Sequence, residues 1–201
     1  MADRLDEAPT GPFRILVVCT GNICRSPAVA ALLSHRLADL PGGAAVQVDS
    51  VGTQAAVGEP MDPCTVAALQ GHGVPAPRGH RARQLQAQDV AAADLVLTAT
   101  REHRRVAAQA HPAAVGRVFT VLELARLVGE TPSVPTGSGA QRWRSLVERA
   151  RMSRGLVRPA QPDDDDLPDP VGCPVEVHVA VLDECVRAVQ AIVAGLALEG
   201  G

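Results

Sequence analysis

Short apolar, β-rich runs alternate with amphipathic segments along the 201-residue chain. The apolar runs predict buried strands at 13–18, 44–52 and 93–100, and a shorter strand at 117–121. The amphipathic segments predict helices that begin at Pro27, after Asp62-Pro63, near 84–92 and after Thr100. Because strands that alternate with helices form parallel sheets, this order predicts an α/β fold with helices on both faces of the sheet.

The clearest helical pattern lies near the carboxyl end of the chain. Its apolar side chains recur at alternating spacings of four and three residues, which is typical of a helix that packs on a sheet. The predicted buried stripe consists of Val175, Val179, Leu182, Val186, Val189, Val193 and Leu196.

Two segments of the second half are rich in Pro, Gly, Ser and Asp and are typical of mobile loops, at 129–140 and 158–168. Between them, QRWRSLVERARMSRGLV predicts an amphipathic, Arg-rich helix outside the minimal fold. We therefore expect one domain over 1–201, with a flexible N-terminus at 1–11 and an insertion at about 129–166.

Composition excludes several classes of protein. The formal charge is −3 and the chain has no Lys, which argues against a dedicated nucleic-acid binder. Its apolar stretches fall short of the roughly 18 residues that a membrane helix needs, so we expect a cytoplasmic protein without membrane contact. The oligomeric state stays open.

Cysteine and histidine positions indicate no metal or cofactor. The five cysteines are odd in number and scattered, which favours neither a disulfide framework nor a zinc site. Five histidines show no metal-like grouping and are interpreted as surface or capping residues: His35, His72, His103, His111 and His178.

The segment VVCTGNICRSPAV places Cys19 at the end of the first strand and Arg25 six positions later, directly before Ser26 and the predicted helix. A loop that folds around an oxyanion needs inward amides, a positive helix end and a planar guanidinium. The amides from Thr20 to Arg25 and the Arg25 side chain can supply these groups. The same positive field favours the nucleophilic thiolate form of Cys19.

Ser26 and Asn22 fit the same loop. Ser26 can cap the helix and donate a hydrogen bond to the sulfur of Cys19. Asn22 is the only asparagine in the chain and lies where a left-handed backbone and a side-chain amide would both help. The alternative to a phosphate loop is a buried structural cysteine beside a helix cap.

CTGNICRSP resembles the low-molecular-weight protein tyrosine phosphatase family, a cysteine-based group that needs no metal. VDSVGT, VGEPMDP, GHRARQL, ADLVLTATREHRRVA and LPDPVG resemble further family segments, so the resemblance covers most of 12–128 and 167–198. It implies a three-layer α/β sandwich with a four-stranded parallel sheet and helices on both faces.

The resemblance also implies residue roles. Cys19 would be the nucleophile, Arg25 the phosphate clamp, Ser26 the thiolate partner and Asp169 the general acid. The phosphate-binding loop would comprise Thr20, Gly21, Asn22, Ile23, Cys24, Arg25 and Ser26. Asn22, Ser50 and His80 would form the hydrogen-bond network that holds this loop.

Two of these roles have alternatives in the sequence. Cleavage of a phosphomonoester needs a proton donor, and the run 163–166 offers rivals to Asp169, although four adjacent carboxylates are more typical of a solvated turn. Family members often carry a cysteine at the position of Cys24 that forms a reversible disulfide with the nucleophile, but a packing role is equally open. Cys64, Cys173 and Cys185 are interpreted as core or surface thiols.

The substrate is less well defined than the chemistry. Relatives that act on phosphotyrosine usually carry bulky or aromatic residues where this chain has Ala56 and Val171, and the loss of stacking weakens selection for aryl phosphates. Ile23 resembles the tyrosine-specific members, whereas related arginine phosphatases tend to carry Thr there. The main hypothesis is a protein tyrosine phosphatase that works through a phosphocysteine intermediate on a phosphoprotein, with a kinase as candidate partner.

Three alternatives remain. The substrate can be phosphoarginine or a small-molecule phosphate. Arsenate reduction is a second enzymatic alternative, although Cys173 and Cys185 make an unconvincing resolving pair. The third is a phosphate-binding regulatory module whose Arg-rich segment around Trp143 binds a partner, but such a module needs neither a nucleophile nor an acid.

Overall fold

Four parallel strands form the central sheet of the computed structural model, which describes residues 11–40, 42–130 and 137–196. They are β1 (Phe13–Cys19), β2 (Val46–Gly52), β3 (Leu95–Thr98) and β4 (Val118–Thr120). The order across the sheet is β2-β1-β3-β4, and every neighbouring pair is parallel. The predicted α/β fold is therefore confirmed. The flexible N-terminus expected at 1–11 lies almost wholly outside the described residues.

Seven α-helices occur within the described ranges: α1 (Arg25–Ala38), α2 (Pro63–Gly71), α3 (Ala87–Ala92), α4 (Arg101–Ala110), α5 (Val121–Gly129), α6 (Gly139–Ser153) and α7 (Val175–Ala194). Alternate side chains of a strand point to opposite faces of a sheet. Phe13, Ile15 and Val17 accordingly share one apolar cluster with α1, α2, α5, α6 and α7, while Leu16 and Val18 share another with α3 and α4. No helix of the described part is long and apolar enough to cross a bilayer.

Helix α7 buries a face that coincides only in part with the predicted stripe, sharing Leu182 and Val189 with it. The buried residues are His178, Val181, Leu182, Cys185, Ala188, Val189 and Ile192, whereas Val175 and Val179 are exposed. Valines occur on more than one side of this helix, so spacing alone does not select the buried face. Packing against α1, α2 and α5 selects it instead.

Helix α6 forms where the Arg-rich segment predicts a helix, but it is not peripheral. Trp143 is almost completely buried and belongs to the main apolar cluster. Its ring stacks on Phe13 of β1 with a centroid distance of 5.5 Å and an interplanar angle of 19°. The expectation of a helix outside the minimal fold is therefore wrong, because the indole completes the core beneath the start of β1.

Only the first half of the aspartate run is solvated, since Asp163 and Asp164 are exposed. Asp165 is buried and pairs with Arg126 of α5 at 2.8 Å, and Asp166 pairs with Arg101 of α4 at 2.9 Å. The amide of Leu167 also donates to the carbonyl of Ala99. These contacts fasten the predicted loop 158–168 to two helices. Of the other predicted loop, residues 131–136 lie outside the described part of the chain.

Candidate active site

The phosphate loop connects the carboxyl end of β1 at Cys19 to the first residue of α1 at Arg25. Asn22 adopts a φ of 57°, so the left-handed backbone predicted at this position is present. Within the described part of the chain, the amides of Gly21, Asn22, Ile23 and Cys24 donate to no other residue. Unpaired amides beside a helix N-terminus provide hydrogen-bond donors for an anion.

Ser26 joins the nucleophile to the supporting network. Its Oγ lies 3.0 Å from Cys19 Sγ and accepts a hydrogen bond from Asn22 Nδ2 at 2.9 Å. Asn22 Nδ2 also donates to Ser50 Oγ at 2.9 Å. The expected capping role of Ser26 is wrong, since Cys24 is the N-cap of α1 and no side-chain cap forms. The hydroxyl instead contacts the cysteine and the asparagine, and it also lies within donor distance of the Val51 carbonyl at 3.3 Å.

The second half of the network fixes the backbone of Asn22. His80 Nε2 lies 2.8 Å from the Asn22 carbonyl oxygen, and the amide of Arg83 donates to Asn22 Oδ1 at 2.9 Å. Ser50 and His80 therefore both contact Asn22. Arg83 contributes to the network through its main-chain amide, which nearly every residue type carries, so its side chain could not predict this role.

Gly52 allows the phosphate loop to lie directly on β2. A Cβ at this position would come within 2.3 Å of the Thr20 carbonyl oxygen and 3.0 Å of the Asn22 nitrogen. The adjoining loop is bonded to the same segment: the amide of Thr53 donates to the Cys19 carbonyl at 2.8 Å, and that of Ala56 to the Gly21 carbonyl at 3.0 Å. Ala56 thus lies at the edge of the phosphate loop, as the resemblance implies.

Arg25 and Asp169 meet across the loop although 144 positions separate them. Arg25 Nη2 donates to Asp169 Oδ2 at 2.5 Å and to Thr20 Oγ1 at 3.2 Å, while Nη1 donates to the Leu167 carbonyl at 3.2 Å. Arg25 Nε is buried and has no hydrogen-bond partner among the described residues. The guanidinium is thus oriented by neighbours and still has a donor for an oxyanion.

Asp169 is exposed enough to reach a ligand. Its side chain is 46% accessible, and Oδ1 accepts a hydrogen bond from the Val171 amide. The rival carboxylates of Asp163, Asp165 and Asp166 are paired with arginines of α4 and α5. Val171 is 53% exposed, so the position after Asp-Pro carries a small apolar side chain that is accessible to solvent.

His103 is a site residue that sequence reasoning missed. It is buried, with Nε2 2.9 Å from Thr20 Oγ1 and Nδ1 2.7 Å from Thr100 Oγ1. Burial and the nearby Arg25 charge lower the pKa of His103 to about 4, so the ring is neutral at pH 7. Because Thr20 Oγ1 also accepts from Arg25, His103 helps to hold the clamp. The interpretation of His103 as a surface or capping residue is therefore wrong.

The other side of the loop contains two buried thiols. Burial raises the pKa of Cys24 to about 12 and that of Cys185 to about 12, so both are protonated at neutral pH. All five cysteines are free. His178 is also buried, and its ring nitrogen lies near Cys24 and Asp62, which corrects both the surface interpretation of this histidine and the absence of a metal-like grouping.

The amino acid sequence matches a known family over much of this structure. Residues 14–134 fit the family model described as low molecular weight phosphotyrosine protein phosphatase. The chain belongs to this family. The membership predicted from CTGNICRSP is confirmed, and with it the expectation of a cysteine-dependent phosphatase fold and chemistry.

Individual relatives differ in the substrate that their names give. The probable low molecular weight protein-tyrosine-phosphatase EpsP of Ralstonia nicotianae is 43% identical over 110 residues, which are 55% of this chain and 71% of EpsP. A protein-arginine-phosphatase of Geobacillus stearothermophilus is 32% identical over 173 residues, which are 86% of this chain and 88% of that protein. Both kinds of family member are therefore similar to this chain.

Solved structures of the family share the fold. The YwlE arginine phosphatase from G. stearothermophilus aligns with a TM-score of 0.64 at 30% identity, covering 91% of this chain and 92% of that one. The low molecular weight protein tyrosine phosphatase from T. tengcongensis aligns with a TM-score of 0.66 at 25% identity, covering 92% and 99%. These alignments extend well beyond residue 134 and show that the fold is shared over most of the chain.

Proposed function

We propose that this protein hydrolyses phosphomonoesters through a phosphocysteine intermediate, with Cys19 as nucleophile, Arg25 as phosphate clamp and Asp169 as general acid. The observation that carries the proposal is the set of unpaired amides from Gly21 to Cys24 beside the free Nε of a buried arginine. Such donors match the equatorial oxygens of a phosphoryl group. A thiol at the base of the same loop supplies the nucleophile.

The reaction has two steps, formation and hydrolysis of the phosphocysteine. The Cys19 thiolate attacks phosphorus and forms a P–S bond while the bond to the leaving oxygen breaks, and Asp169 gives that oxygen its proton. The resulting Asp169 carboxylate then accepts a proton from water as the water oxygen attacks phosphorus and the P–S bond breaks. Ser26 lies 3.0 Å from the sulfur and stabilises the departing thiolate by donating its hydroxyl proton as a hydrogen bond.

The contact between Arg25 and Asp169 supports the proposed division of roles. A phosphate dianion would compete with the carboxylate for Arg25 Nη2, so binding of substrate would free Asp169 to turn toward the leaving group. A protonated carboxyl beside the leaving oxygen is the state that general acid catalysis requires. Asp169 is therefore favoured as the general acid over the aspartates whose carboxylates are paired with arginines of α4 and α5.

For the substrate we propose a phosphoprotein, with phosphotyrosine as the main candidate. Support comes from Ile23, which resembles the tyrosine-specific members, and from the similarity to EpsP. Phosphoarginine is the second candidate because the arginine phosphatase relative matches far more of the chain. The small side chains of Ala56 and Val171 leave the pocket mouth without an aromatic ring, which weakens any preference for a phenyl group.

We also propose that the protein acts in the cytoplasm and that a kinase adds the phosphoryl groups that it removes. The support is chemical, since a free nucleophilic thiol functions in a reducing compartment. A phosphatase that removes phosphoryl groups also requires an enzyme that adds them.

Hydrolysis of a matched substrate panel tests the proposal. The panel compares kcat/KM for peptides that carry phosphotyrosine, phosphoarginine or phosphoserine in one sequence context and for a sugar phosphate. A separate assay measures reduction of arsenate in the presence of a thiol reductant. We expect activity on phosphotyrosine and its abolition in Cys19→Ser, which should still bind phosphate or vanadate because the loop and Arg25 persist. Residual turnover above about 1% would exclude Cys19 as the nucleophile, since loss of a nucleophile typically costs more than 1000-fold.

A further inference from the structure

A thiol, a carboxylate and an imidazole come together beside the phosphate loop, on the side of α2 and α7. One candidate ligand atom each from Cys24, Asp62 and His178 lies within 4.8 Å of the other two. His178 Nδ1 is 3.6 Å from Asp62 Oδ1. Cys24 and His178 are almost completely buried. We refer to these three residues as the Cys-Asp-His cluster.

The cluster adjoins a small cavity. Cys24, Thr65 and His178 line it, and its volume of about 10 Å³ is near the minimum that admits one water-sized particle. The site is therefore suited to a single ion rather than an organic ligand. Pro170, which follows the proposed general acid, lines the same cavity.

We propose that the Cys-Asp-His cluster binds a thiophilic divalent cation of the zinc class. With metal-ligand bonds of about 2.0–2.3 Å in a tetrahedral site, neighbouring ligand atoms lie roughly 3.3–3.7 Å apart. The 3.6 Å between His178 and Asp62 already meets this requirement. A thiolate and an imidazole select zinc-like ions over magnesium or calcium, which prefer oxygen.

Charge balance also favours a cation there. Binding replaces the Cys24 proton by a metal–sulfur bond and releases one proton, so a thiolate and the Asp62 carboxylate surround the ion together with a neutral imidazole. These two negative charges offset the two positive charges of the ion. Thr65 Oγ1 lies 2.9 Å from His178 Nδ1, so a cation bound to this ring nitrogen would displace the hydroxyl from it.

The expected consequence depends on the proposed function. Cys24 belongs to the phosphate loop and directly precedes Arg25, while Asp62 caps α2 and His178 lies on α7. An ion held by all three would draw this loop toward two helices, and a displacement near 1 Å can cost about 100-fold in rate. The bound ion should therefore inhibit the phosphatase reversibly. Metal binding itself is tested without any activity measurement, so failure of either proposal can be recognised separately.

Cobalt(II) titration of the Cys19→Ser protein tests the site, because this background removes the other cysteine of the loop. We expect a thiolate-to-cobalt charge-transfer band and the intense visible bands of tetrahedral cobalt, both displaced by stoichiometric zinc. Adding Cys24→Ser should abolish the charge-transfer band. Adding His178→Gln should weaken affinity by about 100-fold or more, since loss of even an outer-sphere partner of a metal ligand costs 10–100-fold.

Three matched variants identify the ligands. Cys64→Ser and Cys185→Ser alter neighbouring thiols that are not in the cluster and should leave the cobalt spectrum unchanged. Thr65→Val removes the competing hydroxyl and should preserve or tighten binding. Circular dichroism verifies folding of each variant, and His178→Gln decides the matter if Cys24→Ser does not fold. A spectrum that is absent in Cys19→Ser, that persists in His178→Gln, or that is lost in Cys64→Ser would overturn the site.

Discussion

The three nitrogens of the Arg25 guanidinium differ in their hydrogen bonding. Its Nη1 and Nη2 are held by the Leu167 carbonyl, Thr20 and Asp169, whereas its buried Nε has no partner. A buried donor without a partner costs free energy that a ligand can recover. The guanidinium is therefore held in position, and in the proposed reaction a bound phosphate would supply the missing acceptor.

The first residue-level prediction concerns Asp169. Asp169→Asn should slow hydrolysis of phenyl phosphate by about 100-fold or more, the typical contribution of general acid catalysis. An aryl phosphate whose leaving group has a pKa near 7 should lose much less, because such an oxygen departs without a proton. Steady-state rates across a series of substituted phenyl phosphates measure the difference.

Asp166→Asn provides the matched control for that series, since its carboxylate is paired with Arg101. It should leave the dependence of rate on leaving-group pKa unchanged. An equal loss for good and poor leaving groups in Asp169→Asn would mean that Asp169 only shapes its loop.

The second residue-level prediction concerns the pH dependence of stability. The pKa of His103 is about 4 in the folded protein against 6.5 in the unfolded chain. Between these values the unfolded state binds a proton that the folded state does not, so stability falls as pH drops from 6.5 toward 4. The contribution of this one group has a limiting slope of about 1.4 kcal/mol per pH unit. Urea unfolding at several pH values measures it.

The variant His103→Gln should flatten that pH profile while retaining one hydrogen bond to a threonine. His35→Gln is the control because His35 is exposed on α1. If both variants keep the wild-type slope, protonation of His103 does not limit stability in acid.

At the scale of elements, the site forms where several parallel strands end. Cys19 ends β1, Gly52 ends β2, and Thr100 and His103 follow β3. Carboxyl ends of parallel strands meet at one edge of a sheet, which is where ligands bind in open α/β folds. Strand order therefore brings together side chains that lie far apart in the sequence.

Because the site combines residues that are close in the sequence with residues that are far apart, only part of it could be predicted from the sequence. The path from β1 through the phosphate loop to α1 depends on neighbours in the chain, so the strand that ends at Cys19 and the left-handed backbone of Asn22 could be predicted. His103 and His178 were missed because their partners lie 83 and 113 positions away, and a lone histidine carries no signal of a distant threonine. The pairing of Asp165 with Arg126 was equally invisible, since acidic runs are usually solvated.

Contact between β2 and the phosphate loop leads to a prediction for Gly52. In Gly52→Ala the new Cβ would meet the Thr20 carbonyl at 2.3 Å, so the loop must shift. Overpacking of this kind costs about 1–3 kcal/mol of stability. Since a displacement near 1 Å can cost about 100-fold in rate, kcat/KM should fall at least 10-fold. Gly71→Ala, with no atom near its Cβ, should change neither quantity appreciably.

At the scale of the whole molecule, the core is built with very few aromatic side chains. Phe13, Phe119 and Trp143 are the only aromatic residues of the chain, and all three are buried. Phe13 and Trp143 stack on each other, while the Arg154 guanidinium lies over Phe119 at 4.0 Å. The Phe13 ring thus connects β1 to Trp143 of α6, and the Phe119 ring connects β4 to Arg154, which follows α6.

The final prediction follows from this arrangement. Trp143→Ala should destabilise the protein by about 3–5 kcal/mol, because the indole is buried and a cavity would remain beneath β1. Met152→Ala, a truncation on the same helix at an exposed position, should cost less than about 0.5 kcal/mol. Urea unfolding followed by far-UV circular dichroism measures both variants, since Trp143 is the only tryptophan and its fluorescence is lost with it.

Activity provides the second readout for Trp143→Ala. Phe13 and Cys19 lie at opposite ends of β1, roughly 20 Å apart at the rise of an extended strand. Under conditions where the variant is folded, kcat/KM should therefore stay within about twofold of wild type, because the phosphate loop is fixed by Gly52, Asn22 and Ser26 and not by α6. A loss of stability below about 1 kcal/mol would restore the view that α6 is an appendage to the fold.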